Sequence, residues 1–213
     1  MTTLPLIELH TVPTANGYKV SIMLEELGLS YSVRNYDLIK GEQLATEFLA
    51  LNPVGRLPTL VDHDTESGAP PIVVYGSAAI LIYLAEKTGR LLPGTLRERA
   101  RVFEWLGIIS GDLGPAYSGQ FVFNVVAKEK QPWAIEFYNK LCSRLLGPLE
   151  QQLGKSRYLA GDDYTIADII AYPVAAVSML RYPGNLDGHP HMARWAKEIA
   201  TRPAVVRGMK IPS

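Results

Sequence analysis

Strand and helix signals alternate in the first part of the chain, and strand signals then almost vanish. Across residues 4–87, short apolar runs bounded by turn residues indicate strands, and apolar residues three or four positions apart indicate helices. Their order is β-α-β-α-β-β-α, which predicts a small mixed sheet with helices packed on it. Beyond residue 95 the helical spacing dominates. The sequence therefore predicts an α/β domain followed by an all-α domain.

A short segment rich in turn residues marks the predicted boundary between the two domains. Residues 88–95 contain two glycines and Pro93, which is typical of a linker. We therefore expect domains at 1–87 and 96–213, joined by a linker at 88–95. The predicted strands are 4–12, 31–38, 55–62 and 72–75. The predicted helices are one with its apolar face at Val20, Met23, Leu24 and Leu27, and others at 41–51, 77–87, 96–126 with a bend near Gly111 and Gly114, 132–153, from 165, 191–201 and 203–210.

Composition excludes several classes of function. The 213 residues include 21 basic and 21 acidic side chains, so the formal net charge is zero and no basic surface for nucleic acid is expected. The single cysteine, Cys142, excludes an intramolecular disulfide and a multi-cysteine metal site. The longest apolar run without a charge, 169–180, is too short for a membrane span. Because no signal peptide is evident either, we expect a cytoplasmic protein without a membrane anchor or a bound metal.

The turn between the first strand and the first helix is the candidate chemical centre. Its sequence, PTANGYKV at 13–20, is made of residue types that turns select. A helix N-terminus presents free backbone N–H groups and the positive end of the helix dipole, and together these can hold an anion such as a thiolate. Thr14 and Asn16 could add side-chain donors there. The alternative is that both residues only cap the helix.

Four segments, in the right order and at the right separations, resemble those of cytosolic glutathione transferases. They are PTANGYK at 13–19, RLPTL at 56–60, GSAAILIYL at 76–84 and YTIAD at 164–168. The first segment, followed by LEE at 24–26, resembles the Nu class and its fungal nitrogen-regulator-like relatives. The resemblance covers nearly the whole chain. It implies a thioredoxin-like N-terminal domain, an all-helical C-terminal domain, glutathione as co-substrate and a homodimer.

The resemblance also assigns glutathione contacts to particular residues. Leu57 precedes Pro58, which is cis in this family, and the backbone of Leu57 would pair with the cysteinyl part of glutathione. Ser77 matches the place that binds the γ-glutamyl carboxylate. Gln43 matches a place that contacts glutathione in the Nu class.

Thr14 and Asn16 match the residues that face the glutathione sulfur in the Nu class. Donors at a helix end lower the pKa of a thiol and raise its thiolate fraction at neutral pH. No cysteine lies in this turn, so the reactive sulfur would be that of bound glutathione. The implied activity is conjugation of glutathione to small electrophiles, glutathione-dependent reduction of small disulfides, or both.

Two residues depart from the family pattern. Gly76 stands where the family usually has an acidic or amide side chain for the γ-glutamyl amine, and Phe137 stands where the Nu class has an arginine. Asp112, on the long predicted helix, is our candidate for reaching this amine from the partner subunit, and its alternative is a solvated helix residue. Both departures favour a second hypothesis, a non-catalytic glutathione-binding or regulatory protein that kept the fold.

Aromatic residues of the long predicted helix are candidates for the walls of an acceptor pocket between the domains. They are Tyr117, Phe121 and Phe123. Aromatic side chains at such spacing also pack in helical cores, which is the alternative. Thr165 and Asp168 form a T-x-x-D capping box, which we interpret as a folding element and not as part of a catalytic site.

Overall fold

The structure, a computed structural model, describes residues 6–65, 68–181 and 186–212. It divides into two compact units. The first comprises the chain up to Leu92 together with the segment from Ala200 onward, and the second comprises Pro93–Ile199. The segment from Ala200 onward, which the sequence assigned to the helical domain, therefore packs with the first unit.

The first unit contains a four-stranded sheet. Its strands are β1 (Ile7–Thr11), β2 (Tyr31–Asn35), β3 (Thr59–Asp62) and β4 (Ile72–Tyr75), in the spatial order β2-β1-β3-β4. β2 is parallel to β1, whereas β3 pairs antiparallel with both β1 and β4. The predicted mixed sheet is confirmed. Leu4 and Pro5, which the prediction included in the first strand, lie outside the described residues.

Three helices follow these strands in the predicted order. They are α1 (Ala15–Leu27), α2 (Thr46–Leu51) and α3 (Ser77–Thr88). The apolar face predicted for α1 is confirmed, because Val20, Met23 and Leu24 are completely buried. The single helix predicted at 41–51 is wrong in one respect. A 3-10 turn, Glu42–Leu44, precedes α2, because the backbone at Ala45 is extended and interrupts the helix.

The C-terminal helix α9 (Pro203–Gly208) packs on α1. At the contact, a Cβ atom added to Gly208 would lie 2.6 Å from the Ile22 Cα atom, so only glycine allows this approach. Ser21 Oγ donates a hydrogen bond of 2.7 Å to the Gly208 carbonyl. α9 is therefore part of the packing around α1.

Two ion pairs join the same C-terminal segment to the end of α1. Arg202 donates two hydrogen bonds to the carboxylate of Glu26, at 2.6 and 2.9 Å. Arg207 Nε donates to Glu25 at 2.5 Å. Because Glu26 is nearly buried and its pairing is bidentate, the Arg202–Glu26 pair is the stronger of the two.

The second unit is helical, with no strand in the described part of it. Its helices are α4 (Leu96–Ile108), α5 (Gly114–Phe121), α6 (Pro132–Leu153), α7 (Ile166–Arg181) and α8 (Pro190–Ala200). Residues 166–176 of α7 are all buried, so the first part of the apolar run at 169–180 lies in the core of this unit. Among the described helices, none has both the length and the apolar character that crossing a membrane requires.

The long helix predicted at 96–126 is one continuous helical run with two wider turns. A π-helical segment, Ile109–Leu113, joins α4 to α5, and a second one, Val122–Val126, follows α5. Pro115 has no backbone N–H, so the carbonyl four residues earlier, at Gly111, lacks its α-helical donor. A π-helical turn pairs residues five apart and accommodates such a gap. The bend predicted near Gly111 thus coincides with a widened turn.

The predicted capping box at the start of α7 is confirmed and is more than a cap. Asp168 Oδ2 accepts from Thr165 N at 3.1 Å, and Thr165 Oγ1 accepts from Ala167 N at 3.2 Å. Asp168 Oδ1 accepts from Leu159 N at 3.0 Å and from the Trp195 indole at 2.9 Å. Because Asp168 is completely buried, this carboxylate joins a loop, α7 and α8.

Candidate functional site

Four segments meet at one edge of the sheet because the strand register aligns the residues that flank them. His10 of β1 lies opposite Thr59 of β3, and Thr59 lies opposite Tyr75 of β4. On the other side of β1, Thr11 is in register with Asn35 of β2. The segments that leave this edge are 12–17, 36–44, 52–58 and 76–77. All predicted site residues of the first unit lie on them: Thr14, Asn16, Gln43, Leu57, Pro58, Gly76 and Ser77.

Thr14 is the N-cap of α1. Its backbone is extended, and its Oγ1 atom accepts a hydrogen bond of 3.3 Å from Gly17 N. The capping role that the sequence left as an alternative is therefore real. Capping uses only the oxygen of the Thr14 hydroxyl. The hydroxyl hydrogen of this half-buried side chain therefore stays available to donate.

Asn16 is the second residue of α1, and its side chain is exposed. Its Oδ1 atom accepts a hydrogen bond of 2.8 Å from Lys19 Nζ. An ammonium group only donates, so the amide oxygen must face Lys19 and the amide nitrogen must face away from it. Asn16 therefore offers N–H donors, and not an acceptor, at the surface of the turn.

Lys19 is a buried lysine that the sequence analysis overlooked. Its side chain is 2 % exposed, and burial lowers its pKa to about 8. The signal was present in the spacing, since Lys19, Met23 and Leu27 lie four residues apart and share the apolar face of α1.

Gly17 allows the chain to turn tightly into α1. A Cβ atom at this position would lie 2.2 Å from the Val12 carbonyl oxygen and 2.5 Å from Thr11 Oγ1. The Val12 carbonyl is held in place by a hydrogen bond of 2.7 Å from Thr14 N. A side chain here must therefore displace the turn that carries Thr14 and Asn16.

We expect Gly17→Ala to lower the free energy of unfolding by about 1–3 kcal/mol, as overpacking against backbone does. Urea denaturation followed by circular dichroism measures it. The matched control is Gly107→Ala in α4, where an added Cβ meets nothing within 4 Å. That change should leave stability equal or raise it, because alanine is the better helix former. Equal losses in the two variants would contradict the close approach at Gly17.

The loop before β3 carries the predicted cis peptide bond, Leu57–Pro58, which is confirmed. Asn52 holds this loop, since its Nδ2 donates to the Arg56 carbonyl at 2.6 Å and to Thr59 Oγ1 at 3.1 Å. Asn52 is almost completely buried. It is a second supporting residue that the sequence did not reveal, because a single asparagine after a helix carries no distinctive pattern.

The start of α3 lies beside this loop, and Gly76 N donates to the Pro58 carbonyl at 3.3 Å. The helix begins at Ser77, as predicted, and Gly76 is its N-cap, because the backbone of Gly76 is not helical. The first backbone N–H groups of a helix have no partner within the helix, and no side chain caps this end of α3. The Ser77 hydroxyl also forms no hydrogen bond with any described residue. These groups form a set of donors suited to a carboxylate.

Gly76 has an unusual backbone conformation, with φ at 88° and ψ at 121°. Residues with a Cβ atom rarely adopt it, and glycine does so readily. An added Cβ would nevertheless meet no atom within 4 Å. The position therefore has room for a side chain but a backbone that disfavours one.

Gln43 lies in the 3-10 turn Glu42–Leu44 and is half-buried. Its Oε1 atom is buried and has no hydrogen-bond partner within the described ranges. A buried amide oxygen without a partner is destabilising. Gln43 is thus a polar group for which a ligand would supply a missing contact.

The remaining predicted residues lie in the second unit, and their roles stay predictions. Asp112 is exposed on the first π-helical segment and makes no ion pair with any described residue. Tyr117 and Phe121 lie four residues apart in α5 and share one of its faces. Phe123 stacks on Tyr138 of α6, with ring centroids 5.4 Å apart.

An exposed aromatic pair occupies the place of the Nu-type arginine. Phe137 stacks on Trp133 with ring centroids 5.3 Å apart and an interplanar angle of 17°. Both lie near the start of α6, and Trp133 is 76 % exposed. This surface of α6 is apolar where the resemblance leads one to expect a positive charge.

Cys142 is buried in α6, and burial raises its pKa to about 11. It is therefore a poor nucleophile at neutral pH. Within the described ranges, no group of three or more histidine, cysteine or carboxylate side chains is arranged to hold a metal ion.

Comparison with known proteins gives the same family for both parts of the chain. The family model described as glutathione S-transferase, N-terminal domain, matches residues 15–87, and the one described as glutathione S-transferase, C-terminal domain, matches residues 122–203. The disulfide-bond oxidoreductase YfcG of Escherichia coli K12 is 40 % identical over 200 residues, which cover 93 % of this chain and 92 % of that protein.

Solved structures match over the whole chain. A glutathione transferase homolog from Lodderomyces elongisporus, with two GSH per subunit, superposes with a TM-score of 0.92 at 34 % identity and covers 99 % of this chain and 100 % of that one. A glutathione transferase from Pseudomonas putida, with one glutathione disulfide bound per subunit, superposes with a TM-score of 0.93 at 32 % identity. That match covers 100 % of this chain and 94 % of the other. The mixed sheet with its flanking helices and the helical second unit agree with these matches. The chain therefore belongs to the glutathione S-transferase family.

Proposed function

We propose that this protein binds glutathione, stabilises its thiolate at the turn before α1, and uses that thiolate to reduce small disulfides. The observation that carries the proposal is the pair of donors at this turn. The Thr14 hydroxyl and the outward amide nitrogen of Asn16 lie together at a helix N-terminus that contains no cysteine. The similarity to a disulfide-bond oxidoreductase, and to a transferase with glutathione disulfide bound, supports the choice of a disulfide as substrate.

The reaction balances with two molecules of glutathione. The first thiolate attacks one sulfur of the disulfide, forms a mixed disulfide with it, and releases the other sulfur as a thiolate that takes up a proton. A second glutathione thiolate attacks the mixed disulfide at the glutathione sulfur. This step releases the second substrate thiol and forms glutathione disulfide. The substrate gains two electrons and two glutathiones lose them.

The protein contributes no sulfur of its own to these two exchange steps. Cys142, the single cysteine of the chain, is buried and has a raised pKa. Its role is therefore packing. The protein accelerates the exchange by holding glutathione and by lowering the pKa of its thiol, because donors aimed at a thiolate stabilise the charged form.

The other segments at this edge of the sheet are proposed to hold the peptide part of glutathione. The backbone of Leu57, before the cis proline, would pair with the cysteinyl residue as a further strand does. The donors at the start of α3, with Ser77, would bind the γ-glutamyl carboxylate. Gln43 would gain a partner for its buried amide oxygen.

Conjugation of glutathione to small electrophiles is the second candidate activity, since the same thiolate attacks electrophilic carbon. The observation that favours it is the exposed Trp133–Phe137 pair, which offers an apolar surface in place of a cation. We also propose, from the resemblance to this family, that the protein acts as a homodimer in the cytoplasm.

Isothermal titration with reduced glutathione and with glutathione disulfide, followed by turnover assays, tests the proposal. We expect binding in the micromolar to low-millimolar range and glutathione-dependent reduction of hydroxyethyl disulfide. Asn16→Ala should lower kcat/KM by about ten- to hundred-fold, the effect of losing one hydrogen bond to a charged group. Cys142→Ala is the control and should retain activity.

Two outcomes would redirect the assignment. Binding without turnover on hydroxyethyl disulfide or on chlorodinitrobenzene would favour the non-catalytic binding or regulatory protein. If a folded protein bound neither form of glutathione, the proposal would be wrong.

A further inference from the structure

A buried lysine lies directly behind the amide that the proposed function requires. Lys19 Nζ is 2.8 Å from Asn16 Oδ1, and Lys19 is 2 % exposed while Asn16 is exposed. Within the described ranges, Lys19 Nζ donates no other hydrogen bond, and no carboxylate pairs with it. The lysine therefore has one polar contact, and that contact is the site asparagine.

Stability alone does not explain a lysine at this position. Burial removes water from the amino group, and a single hydrogen bond to a neutral amide replaces only part of that solvation. A methionine has similar length and would fill the same space among Met23 and the other buried residues of α1 without this penalty. The lysine is thus a destabilising choice for the core, and its one contact indicates where its benefit lies.

We propose that Lys19 is a positioning residue, which fixes the Asn16 side chain so that its amide nitrogen, and not its oxygen, faces the glutathione sulfur. This inference rests on the proposed function. Asparagine has two ends of nearly equal shape, and rotation by about 180° exchanges a donor for an acceptor. With the oxygen turned outward, the amide would repel a thiolate instead of stabilising it.

The hydrogen bond from Lys19 acts on Asn16 in two ways. It holds the oxygen inward, which removes the rotamer freedom of an otherwise exposed side chain. When Lys19 is charged, the bond also polarises the amide, so that its outward N–H becomes a stronger donor. Both effects reach the sulfur through Asn16.

The thiol pKa of bound glutathione, followed by thiolate absorbance near 240 nm, tests this role. The comparison uses the wild type, Lys19→Met, Asn16→Ala and the double variant at saturating glutathione. We expect Lys19→Met to raise the thiol pKa by about one unit, which lowers the ratio of thiolate to thiol at a given pH about ten-fold. In the Asn16→Ala background, the same change should add little.

The possible results distinguish a failure of the proposed function from a failure of this inference alone. If the wild type forms no thiolate, the proposed function fails, and the inference fails with it. If the wild type does and Lys19→Met has the same thiol pKa, the lysine is only structural and the inference is wrong. If Lys19→Met has equal effects with and without Asn16, the lysine acts directly on the sulfur and the positioning role is wrong.

Three further variants guard against a general loss of folding. Ser21 lies on the same helix as Lys19, and Ser21→Ala removes its buried hydrogen bond to the Gly208 carbonyl of α9. This change should lower stability without moving the thiol pKa. Should Lys19→Met fail to fold, Lys19→Gln and Lys19→Leu give the same comparison. The glutamine keeps a donor for Asn16 Oδ1 and should hold the thiol pKa nearer to that of the wild type than the leucine does.

Discussion

Replacing Gly76 with glutamate is expected to tighten glutathione binding about ten- to hundred-fold, because a carboxylate would then meet the γ-glutamyl amine. A hydrogen bond that involves a charged group contributes about 1.5–3 kcal/mol, which corresponds to that change in affinity. The side chain has room, since an added Cβ at position 76 meets no atom within 4 Å. Isothermal titration with reduced glutathione measures the change.

The same substitution should lower the free energy of unfolding. The φ of 88° and ψ of 121° at Gly76 form a conformation that costs a residue with a Cβ atom about 1–3 kcal/mol. Glycine at this position therefore favours stability, whereas an acidic side chain would favour binding. Chemical denaturation without ligand measures the loss.

Gly76→Ala is the matched control, because it introduces the backbone strain without the carboxylate. It should lose about as much stability as Gly76→Glu and gain no affinity. If the two variants bound glutathione equally well, the amine would already have another partner. Asp112 of a partner subunit is the candidate for that partner, and Asp112→Asn would then weaken binding.

Replacing Asp168 with alanine is expected to lower the free energy of unfolding by about 3–5 kcal/mol. Three buried donors, the backbone N–H groups of Leu159 and Thr165 and the Trp195 indole, would lose their acceptor. Each orphaned buried donor costs about 1–3 kcal/mol, and the values do not add fully. The effect therefore exceeds the roughly 1 kcal/mol of an ordinary helix cap.

Asp163→Ala is the control for this change. Asp163 is exposed on the same loop, so its loss should alter stability by less than about 0.5 kcal/mol. Urea denaturation of both variants makes the comparison. A loss of only about 1 kcal/mol in Asp168→Ala would mean that the carboxylate acts as a cap alone.

The ionisation of Asp168 should also appear in the pH dependence of stability. Burial raises its pKa to about 6, since the loss of solvent outweighs the hydrogen bonds that favour the carboxylate. The folded protein therefore binds the proton more tightly than the unfolded chain does. Relative to Asp168→Asn, the free energy of unfolding should fall as the pH rises from about 4 to about 6, and then level off.

The sequence predicted those features that depend on local periodicity and on turn residues. The succession of strands and helices along the chain, the buried face of α1 and the bounds of α6 follow from neighbours within a few positions. The positions of Thr14 and Ser77 at helix starts follow for the same reason, to within one residue. The edge at which they meet depends on strand register, which the sequence does not state, although the family resemblance implied it.

Features that depend on distant partners escaped prediction. Ser21 and Gly208 are 187 positions apart, so no local pattern could assign α9 to the first unit. Lys19 and Asn52 look ordinary in sequence, and their importance comes from burial and from what their polar atoms reach. The breadth of the Asp168 network escaped for the same reason, because Trp195 lies in another helix.

The packing of α9 on α1 has a consequence for how the protein folds during its synthesis on the ribosome. The strands and α1 emerge first, but Arg202, Arg207 and Gly208, which contact α1, are made only after the second unit. The first unit is therefore incomplete while the whole second unit is being synthesised. During synthesis, domains generally fold as units, and the N-terminal domain folds first. Here the helix that begins at the candidate thiolate turn acquires its full packing only after the whole second unit has been made, so a chain cut before Arg202 would lack part of the support for its own site.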